Sequence, residues 1–129
     1  MAFPNIVVLL LEGLMGLFMA YTAYTLFAWT PPMITKARDA LHYPRWWWVL
    51  AGCVATLGAI GLLVGLFIPT VGVIAIMWVI AYFVVATLSH LVRKDWVNFA
   101  QPLLFLAIIA VLLWLRWADA APLRALVGL

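Results

Sequence analysis

Charge is scarce in this chain of 129 residues: Asp, Glu, Lys and Arg make up 9% of it, against 70% hydrophobic residues. A water-soluble domain of this length needs far more polar surface than that, so soluble globular folds are excluded. The net charge of +3 is small and scattered, which excludes a nucleic-acid partner that would read a basic patch. The single cysteine, Cys53, excludes an internal disulfide framework; in an apolar segment it reads as a small packing residue. Histidine is nearly as rare. A haem or copper centre in a bundle wants two facing histidines at matched depth, and His42 and His90 fall in different segments, so no metal site is expected. Phosphate loops, dinucleotide fingerprints and nucleophile–base spacings are all missing. Ser89 and His90 are neighbours in sequence, but adjacent helical residues point about 100° apart and make no dyad. With no complete catalytic constellation, a non-enzymatic protein is expected. No Lys or Arg precedes the first apolar run, which is longer than the ~7–15 residues of a signal-peptide core, so no cleavable leader is expected. Ala2 stands where myristoylation needs Gly, and no prenylation Cys closes the chain.

Long apolar runs are what the chain does have. Four can be read, at about 5–29, 46–67, 70–91 and 99–117, each near the ~20 residues that span a ~30 Å hydrocarbon core. They are continuous and show no period-two alternation, so they read as helices rather than strands. Pro4, Pro44 and Pro69 precede the first three, Pro102 falls in the first turn of the fourth, and Pro122 follows its end. The expected fold is an all-α membrane protein: a single domain over 1–129, built as a four-transmembrane-helix antiparallel bundle. Ile68-Pro69 alone separates the second and third segments, which predicts a tight hairpin. The longest loop, Thr30 to Arg45, opens Thr30-Pro31-Pro32, and its stretch Ile34–Leu41 fits a short interfacial helix.

Positive charge sets the expected orientation. Lys36, Arg38, Arg45, Arg93 and Lys94 fall on the side of the first and third loops, against Arg116 and Arg124 on the other. That bias puts the two charged loops in the cytoplasm and both termini outside, in a bacterial-type inner membrane. Trp29, Trp46, Trp47, Trp48 and Trp96 mark the inner boundary and Trp114 and Trp117 the outer one, as generic interface anchors. Small residues suggest the packing faces. Glu12, Gly16, Ala20 and Ala23 recur at helical spacing in the first segment, and Ala51, Ala55, Gly58 and Gly65, with Gly61 adding a GxxxG step, in the second. Helices approach closely through such stripes in lipid, so the first two helices are expected to pack on each other through them.

Glu12 is the most informative residue. It is the only charge in the run from Asn5 to Trp29, and an ionised carboxylate at that depth costs roughly 2.5–3.5 kcal/mol on insertion scales. Such a group faces a protein interior and takes a partner. Counted from the outer face it lies about 10 Å deep at 1.5 Å per residue, and Arg116, on an antiparallel helix, reaches the same depth by snorkelling. A direct or water-bridged Glu12–Arg116 pair is therefore expected. It either fixes helix register or serves a proton- or ligand-linked role; the remaining alternative is that Glu12 is protonated and simply hydrogen-bonded. A second polar cluster gathers at the inner end: Tyr21, Tyr24 and Thr25, then Ser89 and His90, then Asn98 and Gln101. Tyr21, Tyr24, His90 and Gln101 are the candidates for holding a quinone headgroup or moving a proton. The plainer alternative is that these groups cap helix ends and meet interfacial water.

From His42-Tyr43-Pro44 through Gly52, Gly58, Ala59, Gly61-Leu62-Leu63 and Gly65-Leu66-Phe67-Ile68-Pro69 to Ala86, His90 and Arg93-Lys94-Asp95, the chain resembles the DoxX-like membrane proteins. The shared pattern is a proline entry, a glycine-rich second helix ending near a proline, and a third helix closing on His. It covers about the middle half of the chain. Many DoxX-like proteins carry a Glu in the second helix where this chain has Ala55, so Glu12 either stands in for it or the role is absent. The resemblance implies a small four-helix bundle acting as a non-enzymatic membrane subunit or accessory protein. Its partners would be membrane lipids and a larger, quinone-linked redox complex or a second copy of itself, and its only bound group a lipid or quinone. Small multidrug-resistance transporters are similar in length, helix count and a Glu in the first helix. That alternative makes Glu12 the proton-coupling residue of a cation exporter, though the long first loop and the charge bias argue against it. A quinone- or lipid-binding module near His90 is the third reading.

Overall fold

The computed structural model describes residues 2–28, 43–96, 99–117 and 121–128. Every regular element among them is helical: α1 (Ala2–Ala28), α2 (Arg45–Val64), α3 (Pro69–Val92), α4 (Ala100–Leu115) and a short α5 (Ala121–Leu126). The expected interfacial helix, with Lys36, Arg38 and His42, lies outside the described residues, as do Trp29 and Asn98.

Proline sets the helix starts. Pro44 caps α2 in an extended conformation, and Pro69 opens α3 where its missing N–H is harmless. Within α2–α3 the chain turns over residues 65–68, with Gly65, Phe67 and Ile68 N–H groups bonded back onto the last turn of α2. Helix α2 therefore stops at Val64, before the expected Phe67. Pro122 does more than mark a boundary, since a new helix begins at Ala121 with the proline in its first turn. Helices α1, α2 and α3 supply stretches of 23, 20 and 24 residues that are long and apolar enough to cross a membrane. Helix α4 has 16 residues, about 24 Å, and falls short of a ~30 Å core. Its C-cap, Arg116, thus ends inside the bundle instead of reaching past it.

Each long helix packs on its neighbour in sequence, α1 on α2, α2 on α3 and α3 on α4, and α4 closes thinly back onto α1. Met19, Leu62, Ile76, Val79, Ile109 and Leu112 are fully buried at the centre. Small residues allow the approach, but not all between α1 and α2. A Cβ on Gly16 would press on Leu63 Cδ2 at 2.9 Å, which is the α1–α2 contact; Cβ atoms on Gly58 and Gly61 would press on Val79 Cγ2 at 2.9 Å and Ala75 Cβ at 2.7 Å, which lie on α3. The GxxxG step thus serves the α2–α3 hairpin. Ala20 faces outward and Met19 takes the interior place. Steps of four residues drift by about 40° each on a helix of 3.6 residues per turn, so a stripe begun at Glu12 and Gly16 has left the core face by Ala20 and returns at Ala23. Cys53 is exposed on the outer surface, not packed. Trp48 is buried, 5% exposed, and belongs to the core rather than to an interface belt.

Candidate functional site

Two polar centres sit at opposite ends of the bundle. The first lies where α1 and α3 begin and α2 and α4 end. Glu12 is 0% exposed and Arg116 4% exposed. Arg116 Nη1 donates to Glu12 Oε1 at 2.5 Å and to the Gly65 carbonyl at 3.2 Å. Gly65 caps α2, and the last carbonyls of a helix lack helical partners and carry the negative end of its dipole. The guanidinium therefore answers both a carboxylate and a helix terminus. Glycine is required beneath it. A Cβ on Gly65 would overlap the Gly72 backbone, and a Cβ on Gly72 would stand 3.1 Å from Arg116 Nη1 and 3.2 Å from Glu12 Oε2. Residues of α1 and α3 and the C-caps of α2 and α4 meet at this point. The arrangement holds helix ends in register, and its charged groups lie outside the residues that line the large cavity described next.

That cavity, about 330 Å³, opens among α1, α2, α3 and α4 toward the other end. Its walls are mainly apolar and aromatic. Phe18 stacks on Phe105 at 4.0 Å between ring centroids, and Phe105 on Phe83 at 5.8 Å. Most polar groups along the wall are already committed. The Thr22, Thr25 and Ser89 hydroxyls donate to the carbonyls of Phe18, Thr22 and Val85 at 2.7–2.9 Å, one turn back, as short hydroxyl side chains do in apolar helices. The Trp48 and Trp78 indoles donate to the Tyr43 and Val54 carbonyls.

His90 is held from behind. Lys94 adopts a left-handed φ of 57°, and the turn returns the chain so that Asp95 N–H bonds the His90 carbonyl at 2.8 Å. Asp95 Oδ2 then lies 2.8 Å from His90 Nδ1, with both side chains 7–8% exposed. Beside this turn the Arg93 guanidinium stacks 4.8 Å over the Tyr43 ring. Three polar atoms on cavity-lining residues have no hydrogen-bond partner among the described residues: His90 Nε2, the Tyr82 hydroxyl and the Trp47 indole N–H.

Of the residues singled out from sequence, Glu12 and Arg116 are brought together, and His90 and Gln101 share the cavity. Tyr21 and Tyr24 do not join them. They are 51% and 63% exposed and face outward, 6.5 Å apart. Depth along the helix places them correctly, but azimuth does not, because the inward face of α1 runs through Met15, Met19, Thr22 and Leu26. Asp95, Tyr82 and Trp47 were missed. Asp95 reads as one more charge at a boundary. Tyr82 was legible as the one hydroxyl ring in the middle of the third apolar run.

A ring of four apolar helices, tied by a buried ion pair at one end and hollow at the other, defines an all-α integral membrane protein. Residues 10–112 match the family model of the DoxX-like family, and the chain belongs to that family. No curated protein and no solved structure matches it.

Proposed function

We propose that this protein is a non-enzymatic membrane module that holds a lipid-soluble, ring-bearing ligand of the quinone class in the cavity at the His90 end. One observation carries the reading. A cavity of about 330 Å³, within the ~300–1,000 Å³ of small-molecule sites, combines aromatic walls with three polar side-chain atoms that nothing in the described protein satisfies. Polar groups inside a bundle are satisfied by protein, water or ligand, so polar residues that line this cavity without using up their hydrogen-bonding capacity leave it for a ligand or water. Aromatic walls favour a flat ring. An apolar tail would leave toward the lipid.

An accessory role fits the same geometry: a small subunit that stores or presents such a ligand to a larger membrane complex, or to a second copy of itself, has no need of catalytic groups. In this reading the charged loops face the cytoplasm of a bacterial-type inner membrane, and the cavity lies toward that side. The transporter alternative has little support, because Glu12 is fully buried and engaged by Arg116.

The test is a titration of the purified protein in mild detergent with menadione, read by quenching of its tryptophans. Saturable quenching that disappears in Ala86→Phe, which fills the cavity wall, is the expected result. Identical quenching of both proteins would show simple partitioning into the micelle and remove the proposal. Copurification from native membranes in the same detergent identifies any partner complex.

A further inference from the structure

The cavity has a polar end whose hydrogen-bonding sense, for a neutral imidazole, is set by the contact between His90 and Asp95. An ionised carboxylate only accepts hydrogen bonds. With Asp95 Oδ2 2.8 Å from His90 Nδ1, the Nδ1 atom carries the proton, and in the neutral ring Nε2 is left with a lone pair. The second-nitrogen role of a histidine is set by the partner of the first. That partner is well held: the Lys94 turn and the Asp95 N–H to His90 carbonyl bond place the carboxylate, and the dyad is 7–8% exposed. The other charged groups of this turn, Arg93 and Lys94, are exposed, and Arg93 is turned onto Tyr43. No hydrogen bond to Nε2 comes from the described protein.

We infer that the cavity discriminates among lipid-soluble rings by their hydroxyl: it takes a ring that donates an O–H to His90 Nε2, the phenol or hydroquinone form, in preference to the corresponding ether or quinone carbonyl. The inference rests on the ligand-binding reading given above. A ring carbonyl offers lone pairs only. Placed at Nε2 it would face another lone pair, and the nitrogen would stay unsatisfied. A ring hydroxyl gives its proton to Nε2 and keeps oxygen lone pairs that can still accept a hydrogen bond. Tyr82 lies eight residues earlier on α3, about 12 Å along the axis by its backbone. Its hydroxyl is left for a second polar atom further into the bundle. Asp95 does not line the cavity. It acts through His90, as a positioning residue that sets which ring nitrogen is protonated. No electron transfer is involved; the site reads hydrogen-bond polarity.

The experiment compares 1-naphthol, 1-methoxynaphthalene and 1,4-naphthoquinone by calorimetric titration of the full chain in detergent at pH 7.5, with Ala86→Phe as the blank for micelle partitioning. The wild-type protein is expected to bind 1-naphthol about tenfold more tightly than the ether or the quinone, as for one buried hydrogen bond gained against one left unmade. In Asp95→Asn the amide both donates and accepts, so the tautomer is no longer fixed and the ratio is expected to fall to about twofold or less, with helicity and melting unchanged. If Asp95→Asn fails to fold, His90→Phe carries the same comparison, and the ratio is expected to vanish there. Equal affinity for the three probes in the wild type, with all binding lost in Ala86→Phe, overturns the hydroxyl preference and leaves the cavity as a ligand site. A tenfold ratio that persists in Asp95→Asn overturns the role of Asp95 and of the tautomer. Binding that is the same in Ala86→Phe as in the wild type overturns the ligand site itself.

Discussion

Removing one member of the Glu12–Arg116 pair is expected to cost far more than removing both. At the observed 2.5 Å and an effective dielectric constant of about 20, the gross attraction between unit charges is about 6–7 kcal/mol. Taking each ion out of water costs several kcal/mol after relaxation, so the two contributions nearly cancel and the pair adds little net stability. Loss of one partner keeps a full desolvation cost and forfeits the attraction. Glu12→Gln leaves the guanidinium, 4% exposed, facing a neutral amide where it had a carboxylate, and is expected to cost about 3–5 kcal/mol. Arg116→Met also orphans the Gly65 carbonyl. It is expected to cost less than Glu12→Gln, because a lone carboxyl can neutralise itself by taking up a proton and a guanidinium cannot lose one. The double variant Glu12→Leu/Arg116→Met should lie within about 1–2 kcal/mol of the wild type, since apolar replacements of buried pairs are often near neutral. Reversible unfolding in mixed micelles, followed through the eight tryptophans, measures all four corners of the cycle. A double variant as costly as the two single ones added together would refute the reasoning. It would mean that the pair is a large net source of stability.

The glycines under that pair divide cleanly. Gly65→Ala is expected to cost about 3 kcal/mol or more, because its Cβ would overlap the backbone of Gly72 and meet Glu12 Oε2 at 3.0 Å. Gly13→Ala, whose Cβ meets only Leu66 Cδ1 at 3.8 Å, should be neutral or stabilising by up to about 1 kcal/mol through helix propensity. Unfolding midpoints of the two variants check both, and equal values would contradict the packing described. Thr87→Val is expected to stabilise by about 1 kcal/mol, since the Thr87 hydroxyl is buried without a hydrogen-bond partner among the described residues and such groups carry an uncompensated desolvation cost; a lower midpoint for the variant would indicate a partner for that hydroxyl.

The sequence was most readable where chemistry and lipid conflict. A charge inside an apolar run must be turned inward and matched, and depth arithmetic alone pointed from Glu12 to Arg116. What the arithmetic lacked was the third party. Gly65 was legible as a small residue, but its role as the carbonyl acceptor at the end of α2 depends on that helix stopping at Val64, which no residue preference forces. Gly72, which faces Gly65, carries no signal of its own, because a close approach is a property of two backbones together.

The cavity was harder to see for a related reason. Its walls are made of residues that read as ordinary membrane-facing aromatics, and depth cannot separate Tyr24, which faces out, from Thr25 and Phe18, which face in. Only azimuth does so, and azimuth becomes fixed once α1 settles on α2 through Gly16 and Gly52, whose missing Cβ atoms make room for Leu63 and the Phe27 ring. The two ends of the molecule then follow from one constraint. Four helices drawn together by glycines and an ion pair at one end have little room there for anything but a methylene. At the other end the rings of Phe18, Trp47, Tyr82, Phe83 and Phe105 stand between the helices and border the space a ligand can fill. Shrinking those rings would let the bundle close, so Phe105→Ala should reduce menadione quenching by collapse or loss of stacking, even though His90 and Asp95 remain in place.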